Sequence, residues 1–406
     1  MELQGISKLD LKRRNRAQIL KVIRECGPIS RVDIASSMQI TRAAVTIITN
    51  EMIEEGVLYE VGEAPVSLTN LQKGRRKILI DINHDHRFIF GASISNKLLT
   101  VGLANLRGEV ADKVSKVVPA DMIADEMIRF IIDSAKDILQ KHDIPTAKIL
   151  GMGIGIQPDM FSKLKIYLKD GIPDYSNVVQ SVSSELDVPI TCANLVAALA
   201  LANQNDDVKE REGNYILLKQ GRHMNLAVLI DNEIMHENNF YTSHVENMIV
   251  NPGGRKISGY PDGSVKAELT EIAWEERFRE VFSQEKTPVL WQAVGGTLNN
   301  LTPKAISAAC LKGESETLNV VNTHLKCLAI LVNNLAISFF ANSIILHGFG
   351  FDEWLFEYFK KYLVTYCGED ISKRIKISKC GGDMEFFGGY NVALYEQFYK
   401  QGGLPV

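Results

Sequence analysis

The chain has 406 residues, a length that predicts two or three domains. Its composition, 46% hydrophobic and 23% charged, is that of a soluble globular protein and excludes a disordered or fibrous chain. No apolar run approaches 18 residues, and the first residues lack the apolar core of a signal peptide. The sequence therefore predicts a cytoplasmic protein with no membrane partner.

Cysteines and charges are distributed unevenly along the chain. The six cysteines are widely scattered without a C-x-x-C pair, which favours reduced thiols over a disulfide scaffold or a cysteine zinc site. Residues 1–83 carry 13 basic and 10 acidic side chains, whereas the remaining residues carry 32 and 39. A basic head on an acidic body suggests that the head meets a polyanion.

Residues 11–62 predict three short helices. Gly27-Pro28 ends the first helix, and Ser30 is predicted to cap the second, with Asp33 in the capping-box position. Thr41 is predicted to cap the third. The apolar face of the first helix consists of Ile19, Leu20, Ile23 and Cys26, that of the second of Ile34, Ala35 and Met38, and that of the third of Val45, Ile48 and Met52.

The other face of the third helix is predicted to enter a DNA major groove. Its side chains, Arg42, Ala43, Thr46, Thr49 and Asn50, are short or able to form hydrogen bonds. Two β-rich stretches follow at 57–64 and 73–82, and the second begins with a basic run that suits a wing against phosphates or a minor groove. A helical bundle with a solvated basic loop is the alternative, but the order of the elements favours a winged helix-turn-helix. The predicted DNA-binding residues are Ser30, Arg31, Thr41, Arg42, Ala43, Thr46, Lys73, Gly74, Arg75 and Arg76.

Residues 84–406 contain two consecutive β-β-β-α-β-α-β patterns, which predict two related lobes around a cleft. The first begins with strands at 87–94, 97–105 and 109–118, and the second with strands at 214–220, 223–230 and 232–238. An α/β fold is therefore predicted behind the head.

This body resembles the ROK family, which joins sugar kinases to sugar-responsive repressors. The resemblance rests on "GLANLRGEV" (102–110), "GMGIGIQPD" (151–159), "CANLVAALALAN" (192–203) and "SIILHGFG" (343–350). It implies a two-lobed actin-like (ribonuclease H-like) domain behind the winged helix-turn-helix. The expected domains are the head at 1–83, a small lobe at 84–190 plus about 382–406, and a large lobe at 191–381.

The resemblance also shows what this chain lacks as a kinase. Family kinases place an Asp and a Gly-Gly-Thr turn between the first two strands, and here Ser93 and Ser95-Asn96-Lys97 stand there. Backbone amides approach a phosphate closely where glycine permits it. Cys192 stands where the family's catalytic Asp takes the sugar proton, and a small polar filler is a better interpretation of it than a nucleophile. ATP binding and phosphoryl transfer are therefore expected to be lost.

The family's zinc site and sugar site are altered as well. No cysteine lies between Cys192 and Cys310, so a thiolate zinc site is not expected, and His244 with Glu246 alone is a weak candidate for another metal. The resemblance implies that a sugar-binding region retains hydrogen-bonding groups. The predicted ligand-binding residues are Gly155, Gln157, Asn194, His244, Asn247 and Glu268.

The sequence thus predicts a transcriptional regulator, most simply a repressor of carbohydrate-related genes, that is not an enzyme and needs no cofactor. Its expected partners are double-stranded DNA with a pseudo-palindromic operator, a sugar or sugar-phosphate effector, and a second copy of itself in a homodimer or higher homo-oligomer. Two alternatives stay open: a sugar kinase with a fused DNA-binding domain, and a regulator whose pocket is vestigial.

Overall fold

The computed structural model describes residues 8–63, 76–204, 213–230, 233–234 and 244–404. The chain forms two compact units, one of residues 1–210 with 383–406 and one of residues 211–382. Lys73, Gly74 and Arg75, which the sequence predicts to bind DNA, lie outside the described residues.

The N-terminal part of the first unit is a winged helix, as predicted. Three helices are followed by a hairpin, and a short strand before the second helix completes an antiparallel sheet of order β1-β3-β2. The elements are α1 (Lys8–Cys26), β1 (Ile29–Ser30), α2 (Arg31–Met38), α3 (Arg42–Glu54), β2 (Leu58–Glu63) and β3 (Ile78–Ile82).

Burial in the head follows the predicted stripes with two exceptions. Ile19, Leu20 and Ile23 are buried, but Cys26, at the last position of α1, is exposed. Thr49, predicted on the outer face of α3, is fully buried. Its hydroxyl donates to the Val45 carbonyl, so this threonine packs with the core side of the helix.

The rest of the first unit is built on a five-stranded sheet of order β10-β7-β4-β5-β6. Strands β4, β5 and β6 are antiparallel, whereas β7 and β10 run parallel to β4. The elements are β4 (Phe88–Ile94), β5 (Leu98–Asn105), β6 (Val110–Val117), α4 (Ala124–Lys141), β7 (Ile149–Ile156), β8 (Leu168–Lys169), β9 (Ile172–Pro173), α5 (Ser176–Ser183), β10 (Ile190–Asn194) and α6 (Leu195–Asn203).

The second unit repeats this topology. Its sheet has the order β13-β12-β11-β14-β15, with three antiparallel strands followed by two parallel ones. The elements are β11 (Asn214–Lys219), β12 (Asn225–Ile230), β13 (Glu233–Ile234), α7 (Val265–Glu268), α8 (Glu271–Val281), α9 (Pro288–Ala293), α10 (Pro303–Leu311), α11 (Ser315–Ser338), β14 (Ala341–His347), α12 (Glu353–Ser372) and β15 (Ile375–Ile377). The repeated pattern read from the sequence is therefore present in the fold.

Helix α11 is long and apolar enough to cross a membrane by length and composition alone. Twelve of its side chains are buried, and it packs against α12 and β14 in the core of the second unit. We describe it as the core helix of this unit.

The chain returns to the first unit through α13 (Phe386–Ala393) and a π-helical turn (Leu394–Tyr399). Helix α13 lies on the first sheet at very short distance, because Gly389 faces Gly153 and a Cβ on either residue would overlap the backbone of the other. The close contacts place this helix against the middle of β4 and β7, at Gly91 and Gly153.

The head and the first five-stranded sheet share one hydrophobic core. Ile19 and Leu20 of α1 pack in the same cluster as Ile89 of β4 and Phe398 of the C-terminal turn. The completely buried Arg16 donates from Nε to the Gly402 carbonyl (2.8 Å) and pairs with Glu55 after α3. The boundary predicted at residue 83 therefore separates two sheets but not two cores.

The other predicted boundary falls at a different place from the observed one. The prediction starts the large lobe at residue 191, but β10 pairs with β7, and α6 follows it in the same unit. The first unit extends to residue 210, and the C-terminal return begins at residue 383, close to the expected 382.

Candidate nucleic-acid interface and ligand region

Side-chain caps begin both α2 and α3. The Ser30 hydroxyl accepts the Asp33 amide (3.3 Å), as predicted for the cap. It also donates to the Asp33 carboxylate (2.6 Å), a side-chain bond that differs from the predicted capping box. Gln39 ends α2 in the left-handed conformation (φ 54°), and Thr41 then accepts the Ala44 amide (3.2 Å) to begin α3. These local bonds place the first turn of α3 at the surface.

The exposed face of α3 contains most of the residues predicted to enter the groove. Arg42, Ala43, Thr46 and Asn50 are exposed, as expected. Ile47 of the same helix, which was not among the predicted DNA-binding residues, is 63% exposed. The buried positions Val45 and Met52 imply that Ile47 lies off the apolar stripe, so the helical period contained this signal.

Two of the predicted DNA-binding residues, Ser30 and Arg31, form hydrogen bonds within the head. Ser30 is 2% exposed and serves as a cap, so it presents no surface to a ligand. Arg31 is held at three points: its Nε donates to Thr49 Oγ1 (3.0 Å), and its Nη2 donates to Asn50 Oδ1 (3.1 Å) and Glu60 Oε1 (2.9 Å). Arg31 therefore braces α2 against α3 and the wing strand β2.

The described cations of the wing are also paired with acids. Arg76 Nη1 lies 3.0 Å from Glu63 Oε2, and Lys77 Nζ lies 2.7 Å from Asp33 Oδ1. Hydrogen bonds from Lys77 and Ser30 lower the pKa of the Asp33 carboxyl. Within the described residues, no ion pair is formed by Arg42, so this exposed guanidinium at the start of α3 is available to a DNA base or phosphate.

In the turn between β4 and β5, which the sequence resemblance compares with a kinase phosphate turn, the polar groups bond to one another. Ser93 and Thr100 are fully buried and share a hydrogen bond (2.7 Å) across the two strands. The amide and hydroxyl of Ser95 both donate to the Leu98 carbonyl, and the Leu98 amide donates back to Ser95 Oγ (3.1 Å). The amides of Ser95 and Leu98 are thus engaged within the turn.

Cys192 lies on β10, paired with Ile154 of β7. Burial raises the pKa of its thiol to about 12, so the thiolate that a nucleophile requires is scarce near neutral pH. Asn194, two residues on, caps α6 by accepting the Val196 amide (2.9 Å). This strand end is therefore built for packing and helix initiation, in agreement with the interpretation of Cys192 as a small filler.

Gly155 and Gln157, both predicted to line the ligand region, have different surroundings. A Cβ on Gly155 would lie 2.7 Å from the Leu195 side chain, so glycine is needed there for α6 to pack on β7. Gln157 is 1% exposed, and its Nε2 donates to Asp159 (3.1 Å). Its Oε1 is buried with no hydrogen-bond donor among the described residues, which leaves one acceptor able to receive a ligand hydroxyl or water.

In the second unit, residues 244–268 are held by buried ion pairs. Glu246, 1% exposed, accepts from Lys266 Nζ (3.1 Å), the Met224 amide (2.9 Å) and Tyr260 OH (3.2 Å), and His223 Nδ1 lies 3.3 Å away. Burial raises the pKa of Glu246, but hydrogen bonds from His223, Lys266 and the main chain outweigh burial and lower it overall. The predicted pair of Glu246 with His244 is therefore replaced by contacts with His223, Tyr260 and Lys266.

The remaining predicted ligand residues of this unit separate into two groups. Glu268 is completely buried, forms an ion pair with Arg277 and accepts the Arg255 amide (2.8 Å), so its carboxylate holds the loop and faces no solvent. His244 and Asn247 are exposed at the two ends of one 3-10 turn. Only these two residues of the predicted set are at the surface of the second unit.

Comparisons with known proteins point in one direction. The chain is 23% identical over 308 residues to the xylose repressor of Caldicellulosiruptor bescii, covering 75% of each chain. It is also 23% identical over 339 residues to the DNA-binding transcriptional dual regulator NagC of Escherichia coli K12, covering 81% of this chain and 80% of that protein. No protein-family model matches the chain.

Solved structures share the fold. A ROK family transcriptional regulator described as a homologue of the E. coli MLC protein matches with a TM-score of 0.71 at 16% identity, over 97% of this chain and 98% of that one. A ROK family glucokinase from Streptomyces griseus, solved with glucose and AMPPNP, matches with a TM-score of 0.56 at 15% identity, over 75% of this chain and 98% of that one. The chain is thus similar in sequence, over about three quarters of its length or more, to proteins named as transcriptional repressors and regulators, and it shares its fold with a ROK family transcriptional regulator.

Proposed function

We propose that this protein is a DNA-binding repressor of carbohydrate-related genes, and that its kinase-like part senses an effector without transferring phosphate. The observation that carries the proposal is the exposed face of α3, which is capped by Thr41 and contains Arg42 at its first turn, an arginine with no ion pair to the described part of the chain. Relatives named xylose repressor and N-acetylglucosamine repressor support the carbohydrate context.

The proposed DNA contacts are those of a helix lying in a major groove about 12 Å wide, with base contacts from its N-terminal half. Arg42, Ala43 and Thr46 occupy that half of α3 and are exposed. Arg76 and the basic run before it are proposed to contact the backbone. The protein would act as a homodimer or higher homo-oligomer in the cytoplasm, with two copies of α3 one duplex turn, about 34 Å, apart on a pseudo-palindrome.

The absence of kinase activity is proposed on the chemistry of the site. A general base contributes a factor of about 10² to 10⁴ in rate, and the buried thiol of Cys192 is a poor substitute for a carboxylate. Ser93 offers no carboxylate for a metal-bound phosphate, and the amides of Ser95 and Leu98 are already bonded within their turn. A Cys192→Asp variant should therefore also fail to consume ATP over a panel of hexoses, and turnover by either protein would favour a kinase with a fused DNA-binding head.

The effector is proposed to be a sugar or sugar phosphate. Gln157, whose buried Oε1 has no donor in the described part of the chain, and Asn194 are the proposed hydroxyl-binding groups of the first unit. In the second unit, the exposed His244 and Asn247 are separate candidates. An effector alters DNA binding only if its affinity differs between DNA-competent and incompetent states. A thermal-shift screen of sugars, sugar phosphates and polyols tests this: no shift with any of them would favour a regulator with a vestigial pocket.

The DNA-binding assignment is tested by Arg42→Ala, with Arg107→Ala as the matched control. Arg107 is also exposed, but it lies in the β5–β6 turn, so its loss changes net charge equally without touching α3. A base-reading arginine is worth about 1–3 kcal/mol, so Arg42→Ala should weaken binding to a selected site about 5- to 150-fold and relax base preference. Equal affinity of the Arg42→Ala and Arg107→Ala proteins for that site would refute the assignment.

A further inference from the structure

Ile47 is an exposed aliphatic side chain in the middle of α3. It is 63% exposed, although the helix has a buried stripe two residues before it at Val45 and five residues after it at Met52. An α-helix turns about 100° per residue, so Ile47 lies about 200° round the axis from Val45. Its side chain therefore lies on the side of α3 that faces away from the core.

The neighbours of Ile47 on this face extend an apolar ridge. Ala43 lies one turn before it and is exposed, and Thr46 beside it is exposed with its hydroxyl donating to the Arg42 carbonyl (2.8 Å). Asn50 lies one turn later and is also exposed. The ridge is thus apolar at its centre and bounded at its two ends by a guanidinium and an amide.

The major groove offers one apolar group among its donors and acceptors, the C5-methyl group of thymine. The opposite side of the same helix packs on the core through Val45 and Met52, so the ridge is the part of α3 that enters a groove first. Resting on the proposed function, we propose that Ile47, supported by Ala43, determines specificity by packing on the methyl group of one thymine in each operator half-site.

The test begins with a duplex selected by the wild-type protein and replaces its thymines by deoxyuridine, one position at a time. Uracil lacks the methyl group and keeps every hydrogen-bonding group, so the exchange isolates the apolar contact. At one position of each half-site, the exchange should weaken wild-type binding about fourfold, the factor expected for one buried methyl group. Ile47→Ala should bind the thymine and uracil duplexes with affinities within about twofold of each other.

Leu11→Ala is the control variant, because Leu11 is an aliphatic residue of similar exposure (52%) on α1. It should keep the fourfold preference for thymine. The wild-type measurement needs no protein variant, so a folding defect in Ile47→Ala leaves the test intact. Selective DNA binding without any uracil-sensitive position, or an unchanged preference in Ile47→Ala, overturns the role of Ile47 alone. A protein that selects no DNA sequence overturns the proposed function itself.

Discussion

Lys266→Met removes an ammonium group from the buried network of the second unit. Lys266 Nζ lies 3.1 Å from Glu246 Oε1, 3.0 Å from His223 Nδ1 and 3.1 Å from the Arg222 carbonyl, and the Glu246 side chain is 1% exposed. The substitution keeps a long apolar stem but leaves a buried carboxylate without its cation. We therefore expect a loss of stability that depends on the charge of Glu246.

The loss in the free energy of unfolding is set by the less costly of two states of the Glu246 carboxyl. Breaking a buried ion pair from one side costs about 3–5 kcal/mol while the carboxylate stays ionised. The carboxyl can instead take up a proton, at about 1.4 kcal/mol for each pH unit above its ordinary pKa of 4.5. This second route costs about 3.4 kcal/mol at pH 7 and about 0.7 kcal/mol at pH 5. We expect a loss of about 3 kcal/mol at pH 7.

The sign of the pH dependence follows from the two pKa values of Glu246. In the wild type the folded pKa lies below 4.5, so the stabilisation is present above pH 4.5 and is lost as the pH falls through the folded pKa. In Lys266→Met the folded pKa rises above 4.5, because the carboxylate is buried without its cation. The difference in stability between the two proteins should therefore shrink between pH 7 and pH 5.

Urea unfolding followed by tryptophan fluorescence is the assay. All three tryptophans, Trp274, Trp291 and Trp354, lie in the second unit, so the signal reports on the unit that carries the substitution. Lys256→Met is the matched control, since Lys256 is 80% exposed beside Asp262 and such pairs contribute no more than about 1 kcal/mol.

The double variant Glu246→Gln/Lys266→Met should recover more than half of the loss, because glutamine keeps an acceptor for the Met224 amide without the buried charge. A loss equal to that of Lys256→Met, or one that stays constant from pH 7 to pH 5, would refute the reasoning.

Two further predictions concern the wing and the strand-end thiol. Glu60→Gln/Glu63→Gln removes the acids that pair with Arg31 and Arg76, so DNA binding should tighten. The slope of the logarithm of affinity against the logarithm of salt concentration should steepen by up to about 0.9 for each added phosphate contact, measured by fluorescence anisotropy at several salt concentrations. Unchanged affinity would show that these acids do not compete with DNA. The pKa of the Cys192 thiol is raised to about 12, so iodoacetamide at pH 8 should alkylate the exposed Cys26 well before Cys192. Mass spectrometry at successive times measures the order, and faster alkylation of Cys192 would contradict its raised pKa.

Local signals predicted the head well. The caps depend on bonds between residues three apart, from Asp33 to Ser30 and from Ala44 to Thr41, and such pairs can be read in the sequence. The buried positions Ile34 and Met52 follow from the helical spacing of apolar residues. Thr49 was misplaced although it lies four residues after Val45 and three before Met52, so the helical period already puts it on the buried side of α3. Its hydrogen bond from Arg31, which is 18 residues away along the chain, is the part that the sequence does not show. Contacts of this range depend on the packing of whole helices.

The candidate ligand region was harder to predict for the same reason. A carboxylate such as Glu268 has the same appearance in a sequence whether it binds a sugar or an arginine, and its pairing with Arg277 becomes visible only in the fold. The network of Glu246 joins residues from 223 to 266 and has no short motif. In contrast, helical periodicity predicts the exposure of Ile47, since this residue lies on the opposite side of α3 from the apolar stripe at Val45 and Met52.

The central claim, that this chain reads DNA sequence through α3, is tested most directly by selecting duplexes from a random pool with the full-length protein. The account predicts enrichment of an inverted repeat whose half-site centres are about 10–10.5 base pairs, or a multiple of this spacing, apart. It also predicts that the enriched duplex binds at least about 10³-fold more tightly than the starting pool at physiological salt. A pool without a shared motif after repeated rounds, bound no more tightly than random DNA, would contradict the account.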